Sequence, residues 1–193
     1  MDFFDEKILE LRDKARKEKF SNLETGMYIK NEKVEFERMF LFEDKMSILL
    51  PTILVDMPSN LVRLKYLSEL RPQIIKTTLD TTVNFTFSKY DLDLEETQVK
   101  DAAKQSQKML KQLNPAYIFY ELEEKKLETT TISWFDFKSY AMDAQMYNMM
   151  YVTCIDKKLV HGNFNCLYQD MIEWKEAVNQ VISSIEDCTR KKG

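Results

Sequence analysis

Histidine, glycine and cysteine are nearly absent from this sequence. Its 193 residues include one histidine, His161, three glycines and three cysteines. Hydrolytic, phosphoryl-transfer and metal-dependent sites draw on clusters of His, Cys or carboxylates, or on a Gly-rich loop that lets backbone amides approach a phosphate. No such cluster or loop is legible, so no catalytic residue is assigned and neither a metal nor a cofactor is expected. Gly26, Gly162 and Gly193 also lack the neighbours of a nucleophile elbow. Cys154, Cys166 and Cys188 are odd in number and show no CxxC spacing, which fits reduced thiols in a cytosol. Long apolar runs are missing as well. The nearest, Met46 to Val55, is interrupted by Pro51 and falls short of the roughly 18–20 residues of a membrane span. The start, Met1-Asp2-Phe3-Phe4-Asp5-Glu6, has acids where a signal peptide would be positive. A cytoplasmic protein without a membrane span is the expectation.

What the chain has instead is packing material. Apolar residues make up 44% of it, with 11 Met, 12 Phe and 9 Tyr, enough to fill the core of one domain. Lys and Arg total 28 against 32 Asp and Glu, for a net charge of −4, which argues against general nucleic-acid binding. The densest basic run, Arg12, Lys14, Arg16, Lys17 and Lys19, is interleaved with Glu10, Asp13 and Glu18 and reads as a solvated helix face. The sequon Asn84-Phe85-Thr86 falls inside an expected strand of an intracellular chain and reads as chance.

Hydrophobic periodicity orders the elements. Phe4, Ile8, Leu11 and Ala15 predict an amphipathic helix over 2–19, followed by a polar connector containing Gly26, so that residues 1–37 precede a single domain over 38–193. Met39 to Leu50 reads as two strands around Glu43-Asp44-Lys45, and Pro58-Ser59 opens a short helix towards Leu70 with Leu61, Leu64 and Leu67 on one side. Val83, Phe85 and Phe87 alternate with Asn84, Thr86 and Ser88, the pattern of a strand with one buried face. Asp93 is placed to cap a helix whose face is Val99, Ala103, Ser106, Leu110 and Leu113, ended by Asn114-Pro115. Strands are expected over 117–122 and 132–142, with a charged loop or edge over 123–128. A hairpin of 145–155 and 158–168 turns at Asp156-Lys157, and a helix over 169–186 buries Met171, Trp174, Val178, Val181 and Ile185 before a frayed tail. Strands in a meander with one helix inserted and another at the end predict an α+β fold, an α/β/α sandwich on a central antiparallel sheet.

The strings KYLSELRPQII (65–75), TTVNFTFS (81–88), LNPAYIFYE (113–121), WFDFKSYAMD (134–143), MYNMMYV (146–152) and HGNFNC (161–166) occur in an order that resembles the PsbP/DcrB-like family over roughly residues 38–186. The resemblance implies a small α/β/α sandwich. Members of that fold group include an extrinsic photosystem II subunit, a Ran-binding transport factor and bacterial chaperones of secreted effectors, so it also implies a non-enzymatic platform for protein partners. It carries over no functional residues, because those groups use different surfaces. No signal or lipobox of the exported members is legible, so an envelope role is not expected, and the N-terminal helix lies outside the match.

Two groups of side chains are candidate sites. Met142, Met146, Met149 and Met150, with Tyr147 and Tyr151, form the richest soft apolar cluster, able to accept a partner's apolar segment or to fill the core. In the hairpin register, His161 lies opposite Val152 and shares a face with Asn163 and Asn165, a row that could bind a ligand or could be the less buried side of the hairpin. The same register sets Cys154 opposite Leu159 and Cys166 opposite Tyr147, too far apart for a disulfide. The carboxylates of Asp91-Asp93, Glu95-Glu96 and Glu121-Glu123-Glu124 read as solvated loops and helix ends. The expected function is a non-catalytic protein-binding module, an adaptor or chaperone for a secretion- or stress-related partner, monomeric or weakly dimeric. The alternatives are an enzyme or small-ligand binder built on His161, and an immunity-type protein that blocks a basic toxin through its acidic surface.

Overall fold

The computed structural model describes Lys7 and residues 19–66, 71–141 and 144–190. Apart from Lys7 and Lys19, the helix expected over 2–19 lies outside the described residues, as do Leu67 to Leu70 and Met142. Strands β1 (Ser21–Asn22), β2 (Gly26–Ile29) and β3 (Glu32–Val34) form a small antiparallel sheet where a polar connector was expected. The β2–β3 turn, Lys30-Asn31, places both residues at positive φ (51° and 64°). That is the mirror-image turn whose twist suits a hairpin, formed here without glycine. Leu23, Met27, Ile29 and Val34 of this segment are buried in the same core as the rest of the chain.

Strands β4 (Phe36–Leu41) and β5 (Met46–Pro51) pair as expected around a turn with Phe42, Glu43 and Asp44 at positive φ. After β6 (Val55–Asp56) comes helix α1 (Ser59–Lys65), which has no buried residue. Next are β7 (Ile74–Thr77) and β8 (Asn84–Asp93), then a 3-10 turn (Glu96–Gln98) leading into helix α2 (Val99–Leu113). The cap is Glu95 rather than Asp93: Glu95 and Gln98 form a capping box, with the Glu95 amide donating to Gln98 Oε1 at 3.0 Å. Asp93 stays in the strand and pairs with Lys158 at 2.9 Å.

Strands β9 (Ile118–Lys126), β10 (Thr131–Tyr140), β11 (Gln145–Ile155) and β12 (Lys158–Leu167) follow, then helix α3 (Met171–Ser183) and β13 (Glu186–Asp187). They complete a seven-stranded antiparallel sheet in the order β6-β7-β8-β12-β11-β10-β9 and a second small sheet, β13-β5-β4. The charged stretch after Leu122 continues β9 as the sheet edge, where exposed charges discourage pairing with other chains. The C-terminal tail is pinned as far as Arg190. Asp187 accepts the Thr189 amide at 3.0 Å and the Asp156 amide at 3.0 Å, and Arg190 pairs with both Asp187 and Glu96.

Helix α2 covers one face of the seven-stranded sheet over β9, β10 and β11, while α3 and the small sheets cover the other. The fold is therefore an α+β sandwich, with most of β10 and β11 and the first half of β8 buried on both sides, while β12 is buried on one face and half-buried on the other. This corrects the one-faced reading of β8: Asn84, Thr86 and Ser88 are buried along with Phe85 and Phe87. Asn84 tolerates burial because it accepts from Thr77 Oγ1 at 2.7 Å and donates to Asn165 Oδ1 at 2.8 Å. On the α3 side, Phe85 and Phe164 pack with ring centroids 4.8 Å apart, and Phe164 meets Trp174 at 5.7 Å. Gly162 is required by a close approach. A Cβ there would sit 2.1 Å from Cζ of Tyr151, whose fully buried ring lies across the strand.

Candidate functional site

The hairpin of β11 and β12 turns at Asp156-Lys157, both at positive φ, in the expected register: Val152 opposes His161, Cys154 opposes Leu159 and Tyr147 opposes Cys166. Strand alternation then divides the Met/Tyr cluster. Tyr147, Met149 and Tyr151 point to the α3 side and are fully buried, which removes them from any exposed patch. Tyr147 is further fixed by a hydrogen bond of 2.9 Å to Asp136, whose carboxylate also takes Lys175 at 2.7 Å. Met146 and Met150 are only partly buried, and Met142 lies outside the described residues.

Met150 belongs to the α2 side, where it meets His161. Helix α2 is held on the sheet by Val99 and Ala103 against Leu94, Val152 and Cys154. Beyond that contact the helix leaves a groove towards β12 and β8. Ser106, Met109, Leu110 and Leu113 form one wall, Tyr90 and Leu92 the other, and Met150, Val152, Leu159 and His161 the floor of a cavity of about 420 Å³. A trough of about 380 Å³ that shares Leu92, Ser106, Met109 and Leu159 extends it towards Asp93 and Asp101. The walls are open: Tyr90 is 47% exposed, Leu92 57%, Met109 55% and Leu113 70%. Four large apolar side chains on one groove form a contiguous patch, unlike singly scattered surface residues. A bulge helps present them. Lys158 opposes Asp93 but Val160 opposes Lys89, so β8 carries extra residues around Tyr90–Leu92 and bends there.

His161 is the polar group in this apolar floor. Burial pulls its pKa down to about 4, so the ring is neutral at pH 7 and offers one donor and one acceptor. The two asparagines of its row do not line the groove with it. Asn165 is committed to Asn84, and Asn163 Oδ1 is buried without a partner among the described residues. Among the described residues no three His, Cys, Asp or Glu side chains converge as metal ligands. Tyr90, Leu92 and Met109 are site residues that the sequence reading missed. The signal available was the alternation Tyr90-Asp91-Leu92-Asp93, which continues the strand and gives it an apolar side.

A broad antiparallel sheet with one long helix on each face defines the class as an α+β sandwich. Solved structures narrow that to the PsbP-like fold, as the resemblance in the sequence implied. The chain is similar to cyanobacterial PsbP (CyanoP) from Synechocystis sp. PCC 6803, at 13% identity and a TM-score of 0.58, over 79% of this chain and 92% of that one. LpqN of Mycobacterium tuberculosis, involved in cell envelope biogenesis, aligns at 11% identity and a TM-score of 0.54, over 86% and 96%. The Ran-binding protein Mog1p of Saccharomyces cerevisiae aligns at 8% identity and a TM-score of 0.52, over 80% and 96%. No family model and no curated protein matches the chain. At these identities the likeness shows the fold alone. No helix among the described residues is long and apolar enough to cross a membrane.

Proposed function

We propose that this protein is a non-catalytic binding module that receives an apolar segment of another protein in the groove between α2 and strands β8 and β12, as an adaptor or chaperone for that partner. The observation that carries this reading is the convergence of exposed Tyr90, Leu92, Met109 and Leu113 on one groove. Aromatic and Met side chains are the ones interfaces favour, and unbranched Met adapts to varied apolar shapes. A neutral His161 in an apolar floor suits recognition of a partner's polar group more than proton transfer, because no groove-lining side chain among the described residues is a carboxylate that could orient it as a catalytic base. The Ran-binding neighbour supports protein recognition on this fold. The unpaired thiols of Cys154, Cys166 and Cys188 suit a reducing, cytoplasmic setting.

Photo-crosslinking tests the proposal. With a benzophenone amino acid at position 109, one protein is captured in the native host through an apolar stretch, and the same probe at Lys126 on the far edge of the sheet captures nothing comparable. Equal, unspecific labelling from both positions would overturn it.

A further inference from the structure

Strand β8 outruns its neighbour β7. Their pairing ends with Ile74 opposite Phe87, and among the described residues no strand lies beside Tyr90, Asp91, Leu92 and Asp93 on that edge. All four are exposed, while β12 holds the other edge, with Lys158 opposite Asp93. The overhang starts with a stand-in for the missing strand. The Lys89 amide donates to Gln73 Oε1 at 3.0 Å, and Gln73 Nε2 donates to the Lys89 carbonyl at 3.0 Å, so a side-chain amide takes the place of one backbone peptide. Backbone groups of a strand repeat their direction every second residue. Between the pairs Lys89–Val160 and Asp93–Lys158, three residues of β8 face one of β12, so the bulge adds two and the alternation survives it. Asp91 therefore follows Lys89 in turning its N–H and C=O to the open edge. Leu94, of the other parity, donates to the Lys157 carbonyl on the β12 side at 2.9 Å.

The two faces of the overhang differ. Tyr90 and Leu92 line the apolar groove. On the other face Lys45, Lys89 and Lys158 line a cavity of about 560 Å³ with Glu43, Asp91 and Asp156. Lys45 lies 2.6 Å from Asp156, and Lys158 lies 2.6 Å from Asp91 and 2.9 Å from Asp93. Lys89 reaches only the Asp156 oxygen that Lys45 already holds, at 4.0 Å, although its side chain is just 20% exposed. Glu43 and Asp91 stand out in water, where their charges are screened. The least matched and least hydrated charge on this face is therefore a cation.

Taking the groove as the docking site, we infer that the partner's segment binds as an added β-strand along Tyr90–Asp93, its apolar side chains entering the groove and the acidic side chains between them facing the Lys89 cavity. Strand addition draws affinity from main-chain hydrogen bonds and specificity from alternate side chains. The partner is thus an extended segment that alternates apolar and acidic residues, rather than an amphipathic helix.

The test uses the full chain with ¹⁵N and ¹³C-methyl labels, so that the Met109 methyl reports on the groove and the Asp91 amide on the edge. The probe is the peptide acetyl-LELEL-amide. It is compared with acetyl-LKLKL-amide and with two N-methylated forms, one blocked at the glutamate amides that would face β8 and one at the leucine amides that would face away. Acetyl-LELEL-amide is expected to shift the Met109 methyl saturably and to slow exchange of the Asp91 amide. N-methylation at glutamate should weaken binding at least about tenfold, as lost main-chain hydrogen bonds require, and N-methylation at leucine by less than about threefold. The lysine peptide should bind less tightly than the glutamate peptide. A Met109 shift without protection of Asp91, equal losses from the two N-methylated forms, or binding of the lysine peptide at least as tight would each overturn the inference and leave the groove reading in place. Absence of saturable binding by the glutamate peptide would overturn it as well, whereas the groove reading fails only if capture at position 109 fails.

Discussion

Replacing Gly162 by alanine tests the packing logic of the sheet with a single methyl group. The backbone there is not left-handed, so in isolation the change should help slightly, by about 0.4–1 kcal/mol, through the unfolded chain. The structure predicts the opposite sign. The new Cβ would meet Tyr151 at 2.1 Å from Cζ and 2.3 Å from the hydroxyl oxygen, and that ring is fully buried with Phe87 edge-on at 6.4 Å. With no room to retreat, the ring or the strand must shift, and overpacking of this kind costs typically 1–3 kcal/mol and occasionally more. We expect the upper end, about 3 kcal/mol, or roughly 6–12 °C in melting temperature for a chain of this length. The assay is urea unfolding of four proteins: wild type, Gly162→Ala, Tyr151→Ala and the double variant. Tyr151→Ala is itself expensive, but it removes the clash, so Gly162→Ala should be close to neutral in that background and the coupling should approach about 3 kcal/mol. Equal costs of Gly162→Ala in the two backgrounds, within about 0.5 kcal/mol, would refute the reasoning.

Other predictions follow from the same structure. The depressed pKa of His161, about 4 against an ordinary 6.5, means the unfolded chain takes up a proton that the folded chain resists. The associated stability is fully present above pH 6.5 and is lost as pH falls towards 4, by about 2–3 kcal/mol after allowance for partial exposure. Melting curves between pH 7 and 4 should therefore fall more steeply for wild type than for His161→Gln, and parallel curves would contradict this. Thiol titration of the native protein should count one reactive cysteine, the exposed Cys188. Cys154 and Cys166 are buried, and burial pushes the Cys166 thiol up to about 12, so both should react only after unfolding. Two fast thiols in the native state would show that one of these strands opens.

The hairpin of β11 and β12 was legible because a period of two and a two-residue turn fix every pairing: once Asp156-Lys157 is the turn, His161 must face Val152. The fold class was legible for the same reason, since residues 116–168 carry strand patterns only. Residues 21–34 were not, because the β2–β3 turn at Lys30-Asn31 lacks the glycine that marks such hairpins. Nor could alternation alone say which side of β11 was the deeper. Met146 and Met150 look like Met149 in the sequence, and only the placement of α3 over one face and α2 over part of the other separates them. The groove was the least legible feature. Tyr90, Met109 and His161 belong to three different elements, each amphipathic in its own right, and their convergence depends on how far α2 reaches across the sheet.

The most direct test of the central claim is quantitative co-purification from the native host with three versions of the tagged chain. These are wild type, the groove variant Leu92→Asp/Met109→Asp, and Leu79→Asp, which changes an exposed apolar residue elsewhere. All sites are solvent-exposed, at 57%, 55% and 87%, so folding should survive, as circular dichroism would check. The account predicts one dominant protein partner that is retained by wild type and Leu79→Asp and reduced at least about tenfold by the groove variant, as expected when desolvated charges enter an apolar interface. Retention of that partner by the groove variant would contradict it.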